Sequence, residues 1–260
     1  MEKLIAQLMR LYMAAGQAKS ESESESGMLA RRVQGELTGP VELATSDGMT
    51  RAIVIPFDKA RYQEEGQHWT RLCEVAHALQ AHYDFPAPGV SISAASGFRL
   101  WLSLAAPVPL AQAQQFLEGL RDTAFPDLAI APDAATLRVE LPPCRDADSG
   151  RWAAFIHPGM GASFIDEPGL EMAPPPLAQA AFLEQLETIG RDQFQDALAR
   201  LQPVQAPAAG ARTLGARPAL AAECGDLLLR DATLEDIVRH LHAKNIEPTF
   251  RHLLDRRELG

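Results

Sequence analysis

RAIVIPFD, Arg51–Asp58, is the stretch on which the fold turns. Ala52–Ile55 are apolar and largely β-branched, Phe57 follows, and Asp58 closes the run. That is the pattern of a buried strand finishing at an acid. Pro56 removes one ladder donor, which suits an edge strand or a bulge. Working outward, Gly89–Ser93 and Phe98–Ala105 (FRLWLSLA) read as two more strands, with Leu137–Leu141 and Trp152–His157 as later short ones. Between them, Trp69, Leu72, Cys73, Ala76 and Leu79 recur at helical spacing and predict a helix from Gly66 to about Tyr83. Pro107–Pro109 introduces another helix, with Ala113, Phe116, Leu117 and Leu120 on its inner face. Strand, helix, hairpin, helix, strand, strand predicts an α+β domain: a mixed or antiparallel sheet with helices packed on one side.

The flanks divide by composition. Residues 1–15 form an amphipathic helix, with Leu4, Ile5, Leu8, Leu11 and Tyr12 at helical spacing. Residues 16–27 hold the run SESESES, which has nothing to bury and reads as a solvated linker. The helix on that tether docks on the body, on a partner, or on a second copy of the chain. The main domain spans 28–202. Its last part is a helical region from Pro174–Pro176 to about Leu201, broken near Gly190. Residues 203–219, rich in Ala, Pro and Gly, read as a second linker. Residues 220–260 form a small helical C-terminal extension: Thr233 and Asp236 bracket one helix start, and Pro248 opens a second helix. The two end segments, 1–15 and 220–260, are the expected contacts for a protein partner.

With 260 residues, 47% hydrophobic and 22% charged, the chain has ordinary globular composition. A net charge of −10 argues against coating duplex DNA by bulk electrostatics, but leaves room for a local basic groove. Cys73, Cys144 and Cys224 lie far apart and form neither a zinc knuckle nor a disulfide framework. No apolar run is long enough for a membrane span, so a cytoplasmic setting without membrane contact is expected. No Walker-type, GxGxxG, HExxH or GxSxG pattern occurs, which removes support for the usual NTPase, dehydrogenase, metalloprotease and hydrolase readings. His240 and His242, two apart on a helix, cannot share a face as metal ligands. His157 reads as a turn residue, and Trp69 and Trp101 as core.

Three segments carry a family resemblance. AIVIPFDKARYQEEG (Ala52–Gly66) is similar to an A-x-D-F-D-K strand followed by an aromatic residue and acids. SISAASGFRLWLSLAAPVPLAQAQQF (Ser91–Phe116) resembles an S-x-S-G-x-G-x-H-x-W hairpin with its apolar strand, Pro-bearing turn and Ala-rich helix. VELPPCRDADSGRWAAFIHPG (Val139–Gly159) resembles an acid-x-x-F-P-x-Q-D segment, a Gly, an apolar strand and a Pro turn. In this order they resemble the archaeo-eukaryotic primase (primase-polymerase) superfamily, closest to the primase domain of bacterial TOTE conflict systems. Degenerate catalytic motifs mark the likeness.

The resemblance implies a primase-polymerase fold and, in an active member, two Mg²⁺ or Mn²⁺ ions held by three acids. Carried over by position, the first acid falls on Pro56 and the second on Asp58. The histidine falls on Arg99, and the third acid on Val139 or Glu140. Asp58 and Glu140 are therefore the candidate catalytic and metal-binding residues. Arg99, Ser96, Gly97 and Lys59 are the candidate phosphate contacts. Replacing a metal carboxylate by Pro56 and a histidine by Arg99 is a matched change, from metal-mediated to direct guanidinium binding of phosphate. The leading expectation is a nucleotide- or nucleic-acid-binding primase-like domain, impaired or inactive in polymerisation. It would act as an accessory or regulatory subunit in replication, repair or mobile-element defence, without a cofactor. Two alternatives stay open. One is an active template-dependent primase-polymerase, its metal site rebuilt from Asp58, Glu140 and one of Asp133, Asp146 or Asp148. The other is an interaction scaffold keeping only the fold.

Overall fold

A computed structural model describes residues 1–14, 24–128 and 138–201. Its elements, in order, are α1 (Glu2–Tyr12), α2 (Glu25–Val33), β1 (Val41–Glu42), β2 (Met49–Asp58), α3 (Gln67–Tyr83), β3 (Gly89–Ile92), β4 (Gly97–Pro109) and α4 (Leu110–Thr123). They continue with β5 (Arg138–Val139), β6 (Cys144–Arg145), β7 (Trp152–Phe155), α5 (Pro176–Glu184) and α6 (Arg191–Leu201). The main sheet has five antiparallel strands in the order β2-β4-β3-β7-β6, and β1 pairs with β5 in a separate two-stranded ladder. Architecture is therefore α+β, with an antiparallel sheet and packed helices. Pro56 lies on the edge strand β2, where a missing N–H is tolerated.

The long pair β2·β4 organises everything else. Its register sets Asp58 opposite Gly97, Pro56 opposite Arg99 and Val54 opposite Trp101. Alternation then sorts the side chains onto two faces. On one face Ile53, Ile55, Phe57, Phe98, Leu100 and Leu102 pack with buried residues of α3, α4 and α6, among them Leu72, Leu79, Phe116 and Phe194. On the other, Ala52, Val54, Trp101 and Phe155 pack with Leu4, Leu8, Leu11 and Tyr12 of α1 and Leu183 of α5. Helices cover both faces, not one as the strand order alone suggested. The cause is in the same residues: a continuous apolar run has no solvent face to leave bare.

That second layer settles where the N-terminal helix goes. Leu4, Leu11 and Tyr12 are fully buried against the body, the two leucines each worth about 1.5–3 kcal/mol. The Arg10 guanidinium donates to the Leu183 and Leu186 carbonyls at 2.8 and 3.1 Å, completing the C-terminal end of α5. A partner meeting residues 1–15 would therefore have to use the other face of α1, since the apolar stripe is occupied. The Ser/Glu run is also shorter as a linker than its composition suggested. Ser24 accepts from the Gly27 amide and starts α2 at Glu25, so 24–27 belong to a capped helix. The segments 203–219 and 220–260, and His240 and His242 with them, lie outside the described residues.

Gln179 takes over from β6 at Phe155, the residue of β7 beyond the β6 ladder. Its side-chain amide accepts from the Phe155 N–H and donates to the Phe155 carbonyl, both at 2.9 Å, as a neighbouring strand would. The helical region after Pro174 is two helices, α5 and α6, separated across 185–190.

Candidate functional site

On the α1/α5 face, the register row Pro56–Arg99–Ser91–Phe155 crosses the sheet next to the row holding Trp101. The aromatic trio Tyr12, Trp101 and Phe155 fills the covered end, with ring centroids 5.0–5.6 Å apart. Beyond it the face turns polar, where β2 ends at Asp58 and β4 begins at Gly97. Arg99 and Asp58 project here because strand residues two apart share a side. Arg99 Nη1 donates to Asp58 Oδ1 at 2.7 Å and to its neighbour's carbonyl, Phe98 O, at 3.0 Å. Arg99 Nη2 donates to Ser96 Oγ at 3.0 Å. Both members of the ion pair are partly shielded, with side chains 22% and 28% exposed. Three bonds use one side of the guanidinium fork and leave the Nε–H and one Nη2 hydrogen without a protein acceptor among the described residues.

The hairpin that carries Arg99 is held by Ser93, a residue the sequence reading passed over. Ser93 Oγ accepts from the Ser96 and Gly97 amides, both at 2.9 Å, and shares a hydrogen bond with Ser96 Oγ. The signal was present as a serine three and four residues before two turn positions. Gly97 has φ +141°, and a Cβ there would lie 2.3 Å from the Phe57 carbonyl oxygen. Its small size serves the close β2·β4 crossing. The amides of Ser96 and Gly97, expected to approach phosphate, are already spent on Ser93. Lys59 follows Asp58 in a short 3-10 turn and pairs with exposed Asp166 at 3.0 Å. Its amide donates to Ser96 O, tying that turn to the hairpin.

Glu140 lies just past β5, outside the main sheet, so strand alternation within that sheet does not decide whether it meets Asp58. Val139, the other candidate position, packs against the second core and supplies no donor. Burial raises the Glu140 pKa, and so does Asp146, while Arg99 and Arg32 oppose the shift. Glu140 is thus a half-buried carboxylate within electrostatic reach of Arg99. Asp146 accepts from the amide and hydroxyl of Ser149, and these bonds lower its pKa: it caps its own turn. Asp133 lies outside the described residues. Among the described residues no group of three or more His, Cys, Asp or Glu side chains is arranged to hold a metal ion. Asp58, the best-placed carboxylate, already has a guanidinium against it, so the described residues do not fit a pair of dications.

Other candidates resolve simply. His157 Nδ1 accepts from the Gly159 amide and caps a 3-10 segment, as a turn histidine. Trp101 is buried and donates to Ser91 Oγ at 2.8 Å, and Trp69 packs on Phe98. No helix among the described residues is long and apolar enough to cross a membrane.

The polar end of the sheet thus combines one shielded guanidinium with a free edge, one carboxylate holding it, and a second carboxylate in its field. No family model matches the chain and no curated protein matches it, so the likeness to primase-polymerases rests on the three segments alone.

Proposed function

We propose that this chain is a primase-like domain that binds the phosphate of a nucleotide or nucleic-acid strand at Arg99 and does not join nucleotides. One observation carries the reading: the Arg99 guanidinium lies 2.7 Å from Asp58, is partly exposed, and has two N–H groups without a protein acceptor among the described residues. A cation fixed in that position can take a phosphate oxygen directly, through charge-assisted bonds on a planar fork. The carboxylate that would serve as a metal ligand serves instead to aim it. Lys59, tethered by Asp166, adds a second positive charge at the end of the same strand. In this reading the domain is an accessory subunit, and the surfaces left to a partner are those that α1 does not use internally.

Fluorescence anisotropy with a labelled single-stranded oligonucleotide and with a labelled ATP analogue, each in excess EDTA, tests the proposal. Saturable binding is expected, and Arg99→Ala should weaken it at least about 10-fold, the loss of one or two charge-assisted hydrogen bonds. Primer extension in Mn²⁺ that disappears in Asp58→Ala would establish a working polymerase and overturn the reading. Absence of binding to either probe would leave a scaffold.

A further inference from the structure

A separate pocket of about 260 Å³ lies between α2 and the segment 37–46, and no residue of the Arg99 site lines it. Glu25, Met28, Leu29 and Arg32 all face it. Their spacing, i, i+3, i+4 and i+7, is one face of a helix. Two apolar side chains are therefore bracketed by an acid and a base, with Met13 and Leu37 among the residues opposite.

Each bracket is incomplete. Arg32 is only 6% exposed. It donates from Nη1 to the Gly39 carbonyl, and no carboxylate forms an ion pair with it among the described residues. Burial lowers its pKa, against the pull of Cys144 and Glu140. A guanidinium with five donors and one protein acceptor, held away from water, keeps donors for a hydrogen-bonded anion, since Glu140 acts on it through its field without forming an ion pair. At the other end, Glu25 Oε1 is buried and has no hydrogen-bond partner. Seven residues of helix separate the two by about 10 Å along the axis, too far for them to satisfy each other.

We propose that this pocket binds a small, elongated zwitterion, its anionic end on Arg32, its ammonium on Glu25 and an aliphatic body along Met28 and Leu29. Glu42, on the exposed rim, adds a second negative charge, which disfavours a plain anion and tolerates a cationic end. Small polar-ended ligands in largely apolar pockets take their orientation from just such a pair of fixed groups. The inference does not depend on the Arg99 reading.

Isothermal titration of the full chain with 6-aminohexanoate, hexanoate and hexylammonium separates the contributions. The zwitterion should bind at least about 10-fold tighter than either singly charged probe, one charge-assisted contact being worth that much. Glu25→Gln should cost the zwitterion about 10-fold and leave hexanoate unchanged. Arg32→Met should abolish binding of the zwitterion and of hexanoate. Because Arg32 also holds Gly39, its thermal unfolding is measured alongside. Should Arg32→Met unfold, Glu25→Gln alone decides. Equal affinity for all three probes, no heat up to about 20 mM, where affinity is negligible, or indifference to Glu25→Gln would each overturn the proposal.

Discussion

Replacing Asp58 by Asn separates the two roles that residue can have. A metal ligand loses function when its charge is removed. A carboxylate that occupies a phosphate-binding guanidinium does the opposite. In the folded protein Asp58 Oδ1 lies 2.7 Å from Arg99 Nη1, so an incoming phosphate on the open edge of the same fork sits at roughly 5 Å from a negative charge. At an effective dielectric near 20 that repulsion is ~3 kcal/mol, and in bulk water under ~1 kcal/mol. The side chains are 22% and 28% exposed, which argues for an intermediate value, about 1–2 kcal/mol. Asp58→Asn should therefore tighten oligonucleotide binding in EDTA by about 5- to 30-fold. The neutral amide still accepts from Arg99, so the loss of stability should stay near ~1 kcal/mol in urea unfolding. Anisotropy titrations of wild type and variant, at one low ionic strength and again at high salt, give the comparison directly. Unchanged or weaker binding in the variant would refute the idea that Asp58 restrains Arg99.

Gln179→Leu should cost about 2–4 kcal/mol in urea unfolding, because the Phe155 N–H and carbonyl are both left buried without partners. A loss under about 0.5 kcal/mol would mean that water replaces the amide there. His68 is fully buried, stacks on Phe98, and its pKa is depressed by burial and then by Lys59, against Ile165 and Asp166. The unfolded chain binds the proton more readily, so stability present above pH ~6.5 should fall as pH drops below it. His68→Phe should flatten that part of the pH profile, and an equal slope in the variant would assign it elsewhere. Glu140 is displaced the other way, its pKa raised by burial first, so its charged form is disfavoured in the fold. Glu140→Gln should stabilise the protein at pH 7, with the gain fading as pH falls through the carboxylate range, measured as melting temperature against pH.

The sheet was legible because its signals were local. Ala52–Phe57, Gly89–Ser93 and Phe98–Ala105 are apolar runs between turn residues, and each became a strand of the main sheet. What the runs also contained, and strand order alone does not convey, was burial on both faces. Val54 and Trp101 are as apolar as their neighbours, and that already demanded a second layer of helices. The helix to supply it stood at residues 2–12, beyond a stretch of Ser and Glu that looked like a tether. Which surface an amphipathic helix covers is a tertiary fact, fixed here by Leu4, Leu8 and Leu11 against Val54 and Trp101, and by Arg10 at the end of α5. The site divides in the same way. That Asp58 ends a strand and Arg99 lies within one could be read from pattern. That they face each other depends on the register Pro56↔Arg99, which no short-range signal sets.

That register also accounts for where the polar groups are tolerated. On the α1/α5 face, apolar cover reaches as far as Trp101 and Phe155, and Ser91 beneath it is satisfied by the Trp101 indole. Two residue pairs further along β2·β4, at Pro56 and Arg99, the cover ends. A guanidinium placed there stays partly exposed while two of its nitrogens are tied to Asp58 and Ser96. Two residues deeper on the same face, at Trp101, a charge would be stripped of solvent at a cost of several kcal/mol. Two residues nearer the turn, at Gly97, the strands cross too closely for any side chain. Of the three same-face positions at this end of β4, Arg99 is thus the one where a side-chain charge is oriented by the fold without being fully buried. The proposed binding role at the strand end needs only that one placement, whereas a two-metal catalytic role needs several acids to converge.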